Sequence, residues 1–367
     1  MRILWLDPFH GGSHAAVAAG YAARAAHQVT LLTLSPAGGW RWRMRGGAVT
    51  LARMARERGE RPELIVASDM LDLATFRALT ADLLAGVPAA VYFHENQLTY
   101  PLPPGRQRDV GLAWTNYTSA LCADAVIFNS EFHRRDFLAA LRALLARYHD
   151  YRELETVAAI AARSHVLPPG IDLATLAGVA SPAGERATAQ PLTILWNSRW
   201  EYDKQPGDFF AALEALEASG ADFRLIVAGE HIDPRMPAFV AARERWARHI
   251  VHWGYVPSRA AYAALLQRAD VVVSTAIQEF FGIAVVEALF CGCAPVLPRR
   301  LNYPELLPPE LHAECLYDDV AGLVALLSSH TGGRRRPRAT WRAIAAPYDW
   351  TQLAPHYDQL FAAIGAP

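Results

Sequence analysis

The chain has 367 residues, of which 52% are hydrophobic and 19% charged, a composition typical of a globular protein and not of a disordered one. Its formal net charge of −1 excludes a general basic field, so any binding of nucleic acid would depend on local patches. Four scattered cysteines exclude a disulfide framework.

The length accommodates two domains, and no apolar run reaches the roughly 18 residues that a membrane-spanning helix requires. The opening stretch, MRILWLDPFH, has the pattern of one strand and a loop, not of a secretory signal peptide. We therefore expect a soluble, cytoplasmic protein in a reducing compartment, with no membrane span.

Short apolar runs alternate with helical patterns in the first half of the chain, which predicts βαβ units and a parallel sheet. The predicted strands cover residues 2–6, 29–34, 64–67, 89–93 and 125–128, the segment 165–172 is predicted as a sixth strand with its exit turn, and the first helix covers about 14–26. Residues 1–177 are predicted to form this first, Rossmann-like domain.

Two polar loops in this domain follow predicted strands. Gly11 and Gly12 permit close approach of the backbone to a ligand, and the helix after them supplies N–H groups. His94 ends the fourth strand in the polar run HENQ. A lone histidine at a strand end is more often structural, but the density of polar groups here favours a role in a site.

Cations and aromatic residues alternate in the tract WRWRMR, residues 40–45. Arginine binds phosphates and planar rings stack on bases, so this mixture suits single-stranded RNA. A solvated loop whose tryptophans pack on the domain explains the tract equally well. Arg134 and Arg135, after the fifth strand, form a second basic patch.

Alternation of strands and helices restarts after a segment without periodicity. Residues 178–191 are predicted to be a linker and residues 192–340 a second Rossmann-like domain, with strands over 193–197, 224–228, 250–253, 271–274 and 294–297. Residues 341–367 are predicted to form a helix that packs back on the first domain. Two doubly wound domains would face each other across a cleft at the carboxyl ends of their strands.

The segment after the predicted strand 271–274 carries the strongest chemical signal. Glu279 and Glu287 frame a helix that begins near Gly282 and Ile283. The N–H groups of such a helix start suit a phosphate, Glu279 suits sugar hydroxyls beside it, and Glu287 suits a ribose. A surface helix with two solvated glutamates also fits the spacing, but Glu287 stands among apolar residues, where an unpaired carboxylate is costly.

Two cations follow the first strand of the second domain. Arg199 and Lys204 are placed to bracket a diphosphate and to neutralise the charge that develops on it as it leaves. Salt bridges to Glu201 or Asp203 are the alternative. The spacings of histidines, cysteines and carboxylates predict no compact metal triad, so metal catalysis is disfavoured.

Six segments together are more specific than any of these motifs: DPFHGGSH (7–14), WRWRMRG (40–46), YFHENQLTYP (92–101), FNSEFHRRDF (128–137), ILWNSRWEYDKQPGDFF (194–210) and EFFGIAVVEALFCGCAPVLPRRLNYPE (279–305). In these the chain resembles the tRNA-queuosine α-mannosyltransferase family, in the GT4 group of retaining GT-B glycosyltransferases. The resemblance implies a GT-B fold, GDP-mannose as the donor, transfer without metal or cofactor, and queuosine in a tRNA anticodon loop as the acceptor.

The resemblance also implies roles for individual residues. His94 would lie near the transferred carbon and Glu279 would touch the donor sugar, as the catalytic residues. The donor site would consist of Gly11, Gly12, Arg199, Lys204, Phe281, Gly282, Ile283 and Glu287. The acceptor would be bound by Arg41, Trp42, Arg43, Arg45, Asn96, Arg134 and Arg135. Ser198 and Gln205 stand where the family pattern has a bulkier polar residue and an asparagine, which would affect the sugar pocket.

Three other functions stay open on the sequence. A GT4 enzyme with another nucleotide sugar and a glycan, lipid or small-metabolite acceptor would not need the tryptophan–arginine tract. A sugar-nucleotide epimerase with the same fold would need acid and base carboxylates, for which the first-domain loops offer Glu95 and Glu131. A non-catalytic RNA-binding role is disfavoured because the donor-site residues are all present.

Overall fold

The computed structural model describes residues 1–177, 191–230, 236–333 and 336–366. Contacts divide the chain into two compact units, Met1–Ile171 with Trp350–Pro367, and Asp172–Asp349. This division assigns residues 172–177 and 341–349 to the second unit, whereas the sequence placed them in the first domain and in the C-terminal segment. The predicted linker, residues 178–191, lies outside the described residues except for its last position.

The first unit is built on a six-stranded parallel sheet with the order β2-β1-β3-β4-β5-β6. Its strands are β1 Arg2–Asp7, β2 Gln28–Thr33, β3 Leu64–Ser68, β4 Ala89–Phe93, β5 Ala125–Phe128 and β6 Ser164–Val166. Its helices include α1 Gly12–Ala22, α2 Trp40–Arg58, α3 Leu73–Leu79, α4 Ala81–Leu84, α5 Val110–Cys122, α6 Glu131–Leu145 and α7 Glu155–Ala162. The inner strands β3, β4 and β5 are buried along their whole length, as expected where helices cover both faces of a parallel sheet.

The second unit repeats this architecture with another six-stranded parallel sheet. Its elements are α8 Ala174–Ala177, β7 Leu192–Asn197, α9 Pro206–Ala218, β8 Phe223–Ala228, α10 Pro237–Arg245, β9 Ile250–Gly254, α11 Arg259–Arg268, β10 Val271–Val273, α12 Ile283–Phe290, β11 Ala294–Pro298, α13 Tyr303–Leu306, α14 His312–Cys315, β12 Leu316–Tyr317, α15 Val320–Thr331 and α16 Arg338–Ala345. Short 3₁₀ helices cover Tyr202–Lys204, Pro309–Leu311 and Ala346–Tyr348. None of the described helices of either unit is both long and apolar enough to span a bilayer.

The strand orders fix where each unit can bind a ligand. The second sheet has the order β12-β11-β10-β7-β8-β9, so the order in which successive strands are added to the sheet reverses between β7 and β10. In the first sheet this reversal lies between β1 and β3. In open α/β sheets, ligands bind beyond the carboxyl ends of the strands at such a switch point. The loops after β1 and β3, and those after β7 and β10, are therefore the expected site positions.

The last helix, α17 Trp350–Gly365, belongs to the first unit. Its buried face presents Trp350, Tyr357 and Phe361, whose rings pack against Tyr21 at centroid distances of 6.4, 5.3 and 5.3 Å. Asp358 accepts a hydrogen bond of 2.8 Å from the Tyr21 hydroxyl. The predicted helix that packs back on the first domain is thus present, and it begins at the first residue of the returning segment.

The Trp350 ring lies directly against two glycines, and one of them supports a test. A methyl group added at Gly20 or Gly170 would lie closer than 3.0 Å to the indole. We expect Gly170→Ala to lower the free energy of unfolding by about 1–3 kcal/mol, because the rigid ring cannot yield. Gly207→Ala, in a helix where an added methyl meets nothing within 4 Å, is the control and should leave stability unchanged or slightly higher. Urea unfolding of both variants measures this, and equal midpoints would contradict the packing.

The structure defines three local features more closely than the sequence did. The sixth strand covers Ser164–Val166, and the rest of the predicted strand and exit turn lies beyond it, because Pro168 and Pro169 have no N–H to donate to a neighbouring strand. The first helix begins at Gly12 and ends at Ala22 instead of covering 14–26. The tract over residues 40–45 is not a loop but forms the first turns of α2.

Candidate active site

Lys204 connects the two loops at the switch point of the second unit. Its ammonium donates to the carbonyl of Gln278 at 2.7 Å and lies 3.0 Å from the Asp203 carboxylate and 3.5 Å from that of Glu279. The residue is only 8% exposed. Burial opposes the charge, but the carboxylates of Glu279 and Asp203 outweigh it and raise the pKa of Lys204. The loops after β7 and β10 are thus joined by one buried cation.

This cation has a compositional signature that the sequence motifs did not reveal. Of the 35 lysine and arginine residues, Lys204 is the only lysine. A chain that uses arginine at every other cationic position retains a lysine where three oxygens converge on a compact ammonium. The planar guanidinium fork of arginine does not match that arrangement. The composition therefore agrees with the predicted role of Lys204, which stays a prediction.

Glu279 and the start of α12 form the loop beside Lys204. One oxygen of Glu279 accepts from the backbone N–H of Phe281 at 3.4 Å, and Asn302 donates its side-chain amide to the carbonyl of Phe281. Gly282 precedes α12 with φ of +93°, a conformation that favours glycine, and no side chain caps the helix. Ile283 is the first helical residue. The predicted arrangement of Glu279, Phe281, Gly282 and Ile283 around a helix start is present.

Glu287 lies in the second turn of α12, where it is 8% exposed and held from α11. Arg259 donates to one of its oxygens at 2.6 Å and the Tyr262 hydroxyl donates to the other at 3.0 Å. Tyr262 also accepts from Asn197, which ends β7 and donates in addition to the carbonyl of Ala284. A buried carboxylate needs such partners, so Arg259, Tyr262 and Asn197 fix the position of Glu287.

Tyr262 allows the predicted nucleotide role of Glu287 to be tested without removing the carboxylate. We expect Tyr262→Phe to raise the dissociation constant of a nucleoside diphosphate several-fold, because a hydrogen bond that orients Glu287 contributes about 0.5–1.5 kcal/mol. Calorimetry measures the affinity, and Tyr255→Phe at a 58% exposed position is the matched control. Equal affinities of the two variants would show that Glu287 does not depend on this support.

Arg199 is exposed, with 52% of its side chain accessible, and it lies 3.3 Å from the Glu201 carboxylate. The sequence offered two partners for this side chain, a diphosphate or a neighbouring carboxylate. The salt bridge is present in the structure, and a surface pair of this kind is weak enough to exchange for a phosphate. The assignment of Arg199 to the diphosphate stays a prediction.

In the first unit, the backbone around His94 is fixed by carboxylate and amide side chains. Asp69, which follows β3, accepts from the N–H groups of His94 at 2.9 Å and Glu95 at 3.3 Å. Asn129 donates to the carbonyl of His94 at 2.9 Å and contacts His133 Nδ1 at 2.9 Å. His94 is 9% exposed, and its Nε2 has no hydrogen-bond partner among the described residues.

The loop after β1 supplies a second histidine to the same place. His14, in the first turn of α1, stacks on His94 with ring centroids 4.0 Å apart and planes inclined by 22°. Its ring nitrogens lie 3.4 Å from Asp7 and 3.9 Å from Asp69. The switch point of the first sheet thus brings together the ends of β1, β3 and β4.

His14, Asp69 and His94 are the one group of three metal-ligating side chains found within the described residues, with ligand atoms within 4.8 Å of one another. The sequence predicted no compact triad, because these residues are far apart in the chain. The two histidine rings lie nearly parallel, so their nitrogens are directed side by side and do not converge on one point. The arrangement suits stacking better than coordination.

The glycine loop adjoins this group. A methyl at Gly11 would collide with Pro36, whereas Gly12 has φ of +52° and no atom within 4 Å of an added methyl. The α1 helix begins at Gly12 and has no side-chain cap. Gly11 is required by its close packing against Pro36, and Gly12 is favoured by its backbone conformation. Space remains beside Gly12 for a ligand.

The predicted acceptor residues fall into two groups. Arg41, Trp42 and Arg45 lie exposed at the start of α2, and Trp42 is 74% exposed. Arg41 lies 4.4 Å from the centre of the Trp40 ring, and Arg45 forms an ion pair of 2.6 Å with Asp109. Arg43 instead donates to the carbonyls of Ala37 and Pro36 and so holds the turn before the helix.

Asn96, Arg134 and Arg135 lie on other elements, Asn96 on the loop after β4 and the two arginines on α6. Asn96 is fully buried, and its side-chain oxygen accepts from the N–H groups of Leu98 and Thr99. Arg134 forms two hydrogen bonds with Glu131, and Arg135 is exposed beside it on α6. The internal bonds of Asn96 leave little of it for an acceptor, and the three assignments stay predictions.

The sequence motifs did not indicate several residues that the geometry of each unit brings beside the predicted ones. They are Asp7 and Asp69 in the first unit, and Asn197, Arg259 and Tyr262 in the second. The sequence did offer His14, which flanks the glycine loop, as a possible neighbour of the cleft, and Asp203 as a salt-bridge partner. Asp7, Asp69 and Asn197 each end or follow a buried strand, which is a signal that the sequence contains. Arg259 and Tyr262 lie on a helix that has no strand-end signature, so only the fold shows their contact with Glu287.

Two Rossmann-like units with polar loops at both switch points define the GT-B class of glycosyltransferases. The chain shares this fold with sucrose-phosphate synthase from Thermosynechococcus elongatus, at a TM-score of 0.73 and 17% identity over 99% of this chain and 100% of that one. Residues 182–314 match the model of glycosyl transferases group 1. The chain is therefore a glycosyltransferase.

Residues 2–171 match the model of the tRNA-queuosine alpha-mannosyltransferase N-terminal domain. A curated relative, the tRNA-queuosine alpha-mannosyltransferase of Drosophila melanogaster, is 33% identical over 313 residues, which cover 84% of this chain and 82% of the relative. The chain belongs to the tRNA-queuosine alpha-mannosyltransferase family. It is also 26% identical, over 84% of its length and 77% of the relative's, to the GDP-mannose-dependent alpha-(1-6)-phosphatidylinositol dimannoside mannosyltransferase of Mycobacterium tuberculosis.

Proposed function

We propose that the protein transfers mannose from GDP-mannose to queuosine in a tRNA anticodon loop, with retention of configuration. The observation that carries the proposal is the Drosophila relative, whose identity extends over both units and whose name specifies both the sugar and the nucleoside. The name of the mycobacterial relative specifies GDP-mannose as donor, which supports the same donor here.

The second unit supplies the groups for the donor. The bond between the anomeric carbon and the diphosphate oxygen breaks while a bond to an acceptor hydroxyl oxygen forms, and the proton of that hydroxyl passes to the diphosphate as GDP leaves. Lys204 and Arg199 neutralise the charge that develops on the diphosphate, together with the N–H groups at the start of α12. Glu287 binds the ribose and Glu279 a hydroxyl of the mannose, and the family resemblance assigns His94 to the transferred carbon.

The first unit supplies the surface for the acceptor. Trp42 offers an exposed ring for a base, and Arg41 and Arg45 offer cations for phosphates. The ion pair between Arg45 and Asp109 brings the start of α5 beside this surface, and the loop before it carries the exposed Arg106 and Arg108. In a chain with a net charge of −1, this concentration of arginines favours a polyanionic acceptor over a small neutral one.

Incubation with radiolabelled GDP-mannose and two forms of one tRNA tests the proposal. The form with queuosine in the anticodon should become labelled, and the form with guanosine at that position should not. Labelling from UDP-glucose instead of GDP-mannose would overturn the donor. Labelling of neither tRNA, with transfer to a small glycan, would overturn the acceptor.

We also expect transfer to continue in EDTA. Two cationic side chains and the helix start already offset the charge of the leaving diphosphate, so a divalent ion is not required for that purpose. The measurement is the initial rate with excess EDTA, compared with the same reaction supplemented with Mg²⁺ or Mn²⁺. A rate that collapses in EDTA and returns with either ion would contradict the proposed donor chemistry.

A further inference from the structure

A buried group of ionisable side chains lies beside His94, and the proposed transfer assigns it no role. Asp7 and Asp69 are fully buried, and His14 is 7% exposed. They come from three elements that the switch point brings together, at the ends of β1 and β3 and the start of α1. Two carboxylates buried without a cation would be very unfavourable. Burial raises the pKa of Asp69 to about 7, and the charge of His14 acts against this rise, so a cation among these groups favours their ionised forms.

His14 is placed to be that cation. One ring nitrogen faces Asp7 at 3.4 Å and the other faces Asp69 at 3.9 Å. Burial opposes the charge, but the close contact with Asp7 and the charges of Asp69, Asp7 and Glu95 outweigh it and raise the pKa of His14. In return, although burial works against ionisation, His14 holds the pKa of Asp7 below its usual value.

The His94 ring, unlike that of His14, is uncharged. Its burial, then the charge of His14, and then His133 hold its pKa well below the ordinary 6.5, so its ring is neutral. An imidazolium stacked on a neutral imidazole at 4.0 Å is favourable, whereas two stacked imidazoliums would repel each other strongly. The charge on one ring therefore dictates the neutrality of the other.

The unpaired Nε2 of His94 needs a partner that binding can supply. A buried polar atom without a hydrogen bond is unfavourable, and in an active site the missing partner is commonly the ligand. A sugar hydroxyl both donates and accepts, so it can pair with Nε2 in either neutral tautomer of the ring. A protonated His94 would lose this versatility.

We propose that His14 is a positioning residue for His94: held as a cation by Asp7 and Asp69, it keeps the His94 ring stacked and neutral, so that Nε2 receives a hydroxyl of the donor sugar. This inference rests on the proposed function, since it assumes that a nucleotide sugar binds at His94. Asp7, Asp69 and His14 act through His94 and do not themselves touch the sugar.

Other groups around His94 bear on its protonation. His10 shares Asp7 with His14, at 3.0 Å from the other oxygen. Tyr92, on β4, lies 4.9 Å from the His94 ring, and Glu95 follows on the same segment. His133 acts on it from α6, and burial holds the pKa of His133 well below its usual value too, so we count its influence as smaller than that of His14. His14 is the nearest cation to the His94 ring among these groups.

The test separates the charge of His14 from its ring. His14→Phe retains an aromatic ring for stacking and removes the cation, and Asp7→Asn retains both histidines and removes the nearer carboxylate. We expect the acid limb of kcat/KM to move to higher pH by about one unit or more in His14→Phe. A smaller shift in the same direction should occur in Asp7→Asn. His165→Gln, at an exposed position on β6, should leave the pH profile unchanged.

Side-chain ¹⁵N NMR of histidine-labelled protein gives the same answer without substrate. In the wild type His14 should remain charged and His94 neutral down to about pH 6, and in His14→Phe the His94 signals should titrate at higher pH.

Unchanged His94 titration in both variants would overturn the proposal, even if transfer to tRNA is normal. Stoichiometric Zn²⁺ binding that disappears in His14→Phe would also overturn it, because the group would then be a metal site. Failure of the tRNA assay with the expected NMR shifts would instead count against the proposed function alone.

Discussion

Lys204→Met should lower kcat/KM for mannosyl transfer by about 10²–10³-fold, the loss typical of removing one group that stabilises developing charge. The structure explains why the loss should be large, since the ammonium is buried and shared by two carboxylates and a carbonyl. Its removal leaves Asp203 and Glu279 close together without a cation, and they would repel an incoming diphosphate. Steady-state kinetics with GDP-mannose and tRNA, and calorimetry with GDP, measure both consequences.

Lys204→Arg distinguishes charge from shape. This variant preserves the charge of the only lysine, but a planar guanidinium cannot replace the three interactions of the ammonium, so we expect at least a tenfold loss of kcat/KM. Arg248→Met removes a cation whose side chain is 75% exposed and is the control for net charge. If Lys204→Met binds GDP as tightly as the wild type and retains its rate, the assignment of the donor site is wrong.

Replacement of Arg41, Arg43 and Arg45 by alanine should weaken tRNA binding strongly and leave GDP affinity unchanged. Removal of each arginine that binds a phosphate should reduce the salt dependence of binding, by about 0.7 in the slope of log K against log salt concentration for single-stranded RNA. Loss of the two phosphate contacts proposed for Arg41 and Arg45 would reduce the slope by roughly 1.4. Trp42→Ala alone should cost about 1–3 kcal/mol if a base stacks on its ring.

The same helix provides a matched control for this experiment. Arg53, Arg56 and Arg58 lie towards the C-terminal end of α2, where each pairs with a carboxylate, of Glu57, Asp82 and Glu60 respectively. A triple alanine variant there removes the same charge from the same helix but should leave tRNA affinity nearly intact. Arg43→Ala, which releases the turn before α2, measures how much of the effect is structural. Equal losses from both triple variants would show that only net charge matters.

Much of the fold was predictable because buried parallel strands leave a clear pattern. The runs LIVAS, AAVYF and AVIF are short, β-branched or aromatic, and bounded by polar residues, and the structure places strands at all three. The tract at residues 40–45 was harder to interpret, because alternating tryptophan and arginine gives no helical periodicity. Its helix is stabilised by burial of Met44 against Met70 and Leu112, which lie far away in the chain.

The residues of the candidate site likewise divide into those that the sequence indicated and those that it did not. Glu279, Glu287 and Lys204 belong to short motifs whose residue types and spacing are enough to indicate their chemistry. Asp69 and Arg259 lack such a context, because each acts on a partner more than twenty residues away in the sequence. His14 was recognisable only as a possible neighbour of the cleft, since the stack on His94 depends on the order of strands in the sheet.

The return of α17 to the first unit has a consequence for how the chain folds during synthesis. Trp5, Tyr21 and Tyr92 of the first unit pack with Tyr357 and Phe361, so this part of its core is incomplete until the whole second unit has left the ribosome. The second unit, in contrast, is continuous and can fold as soon as it is made. The nascent first unit therefore exposes an aromatic surface while the second unit is synthesised, and α17 is what finally covers it.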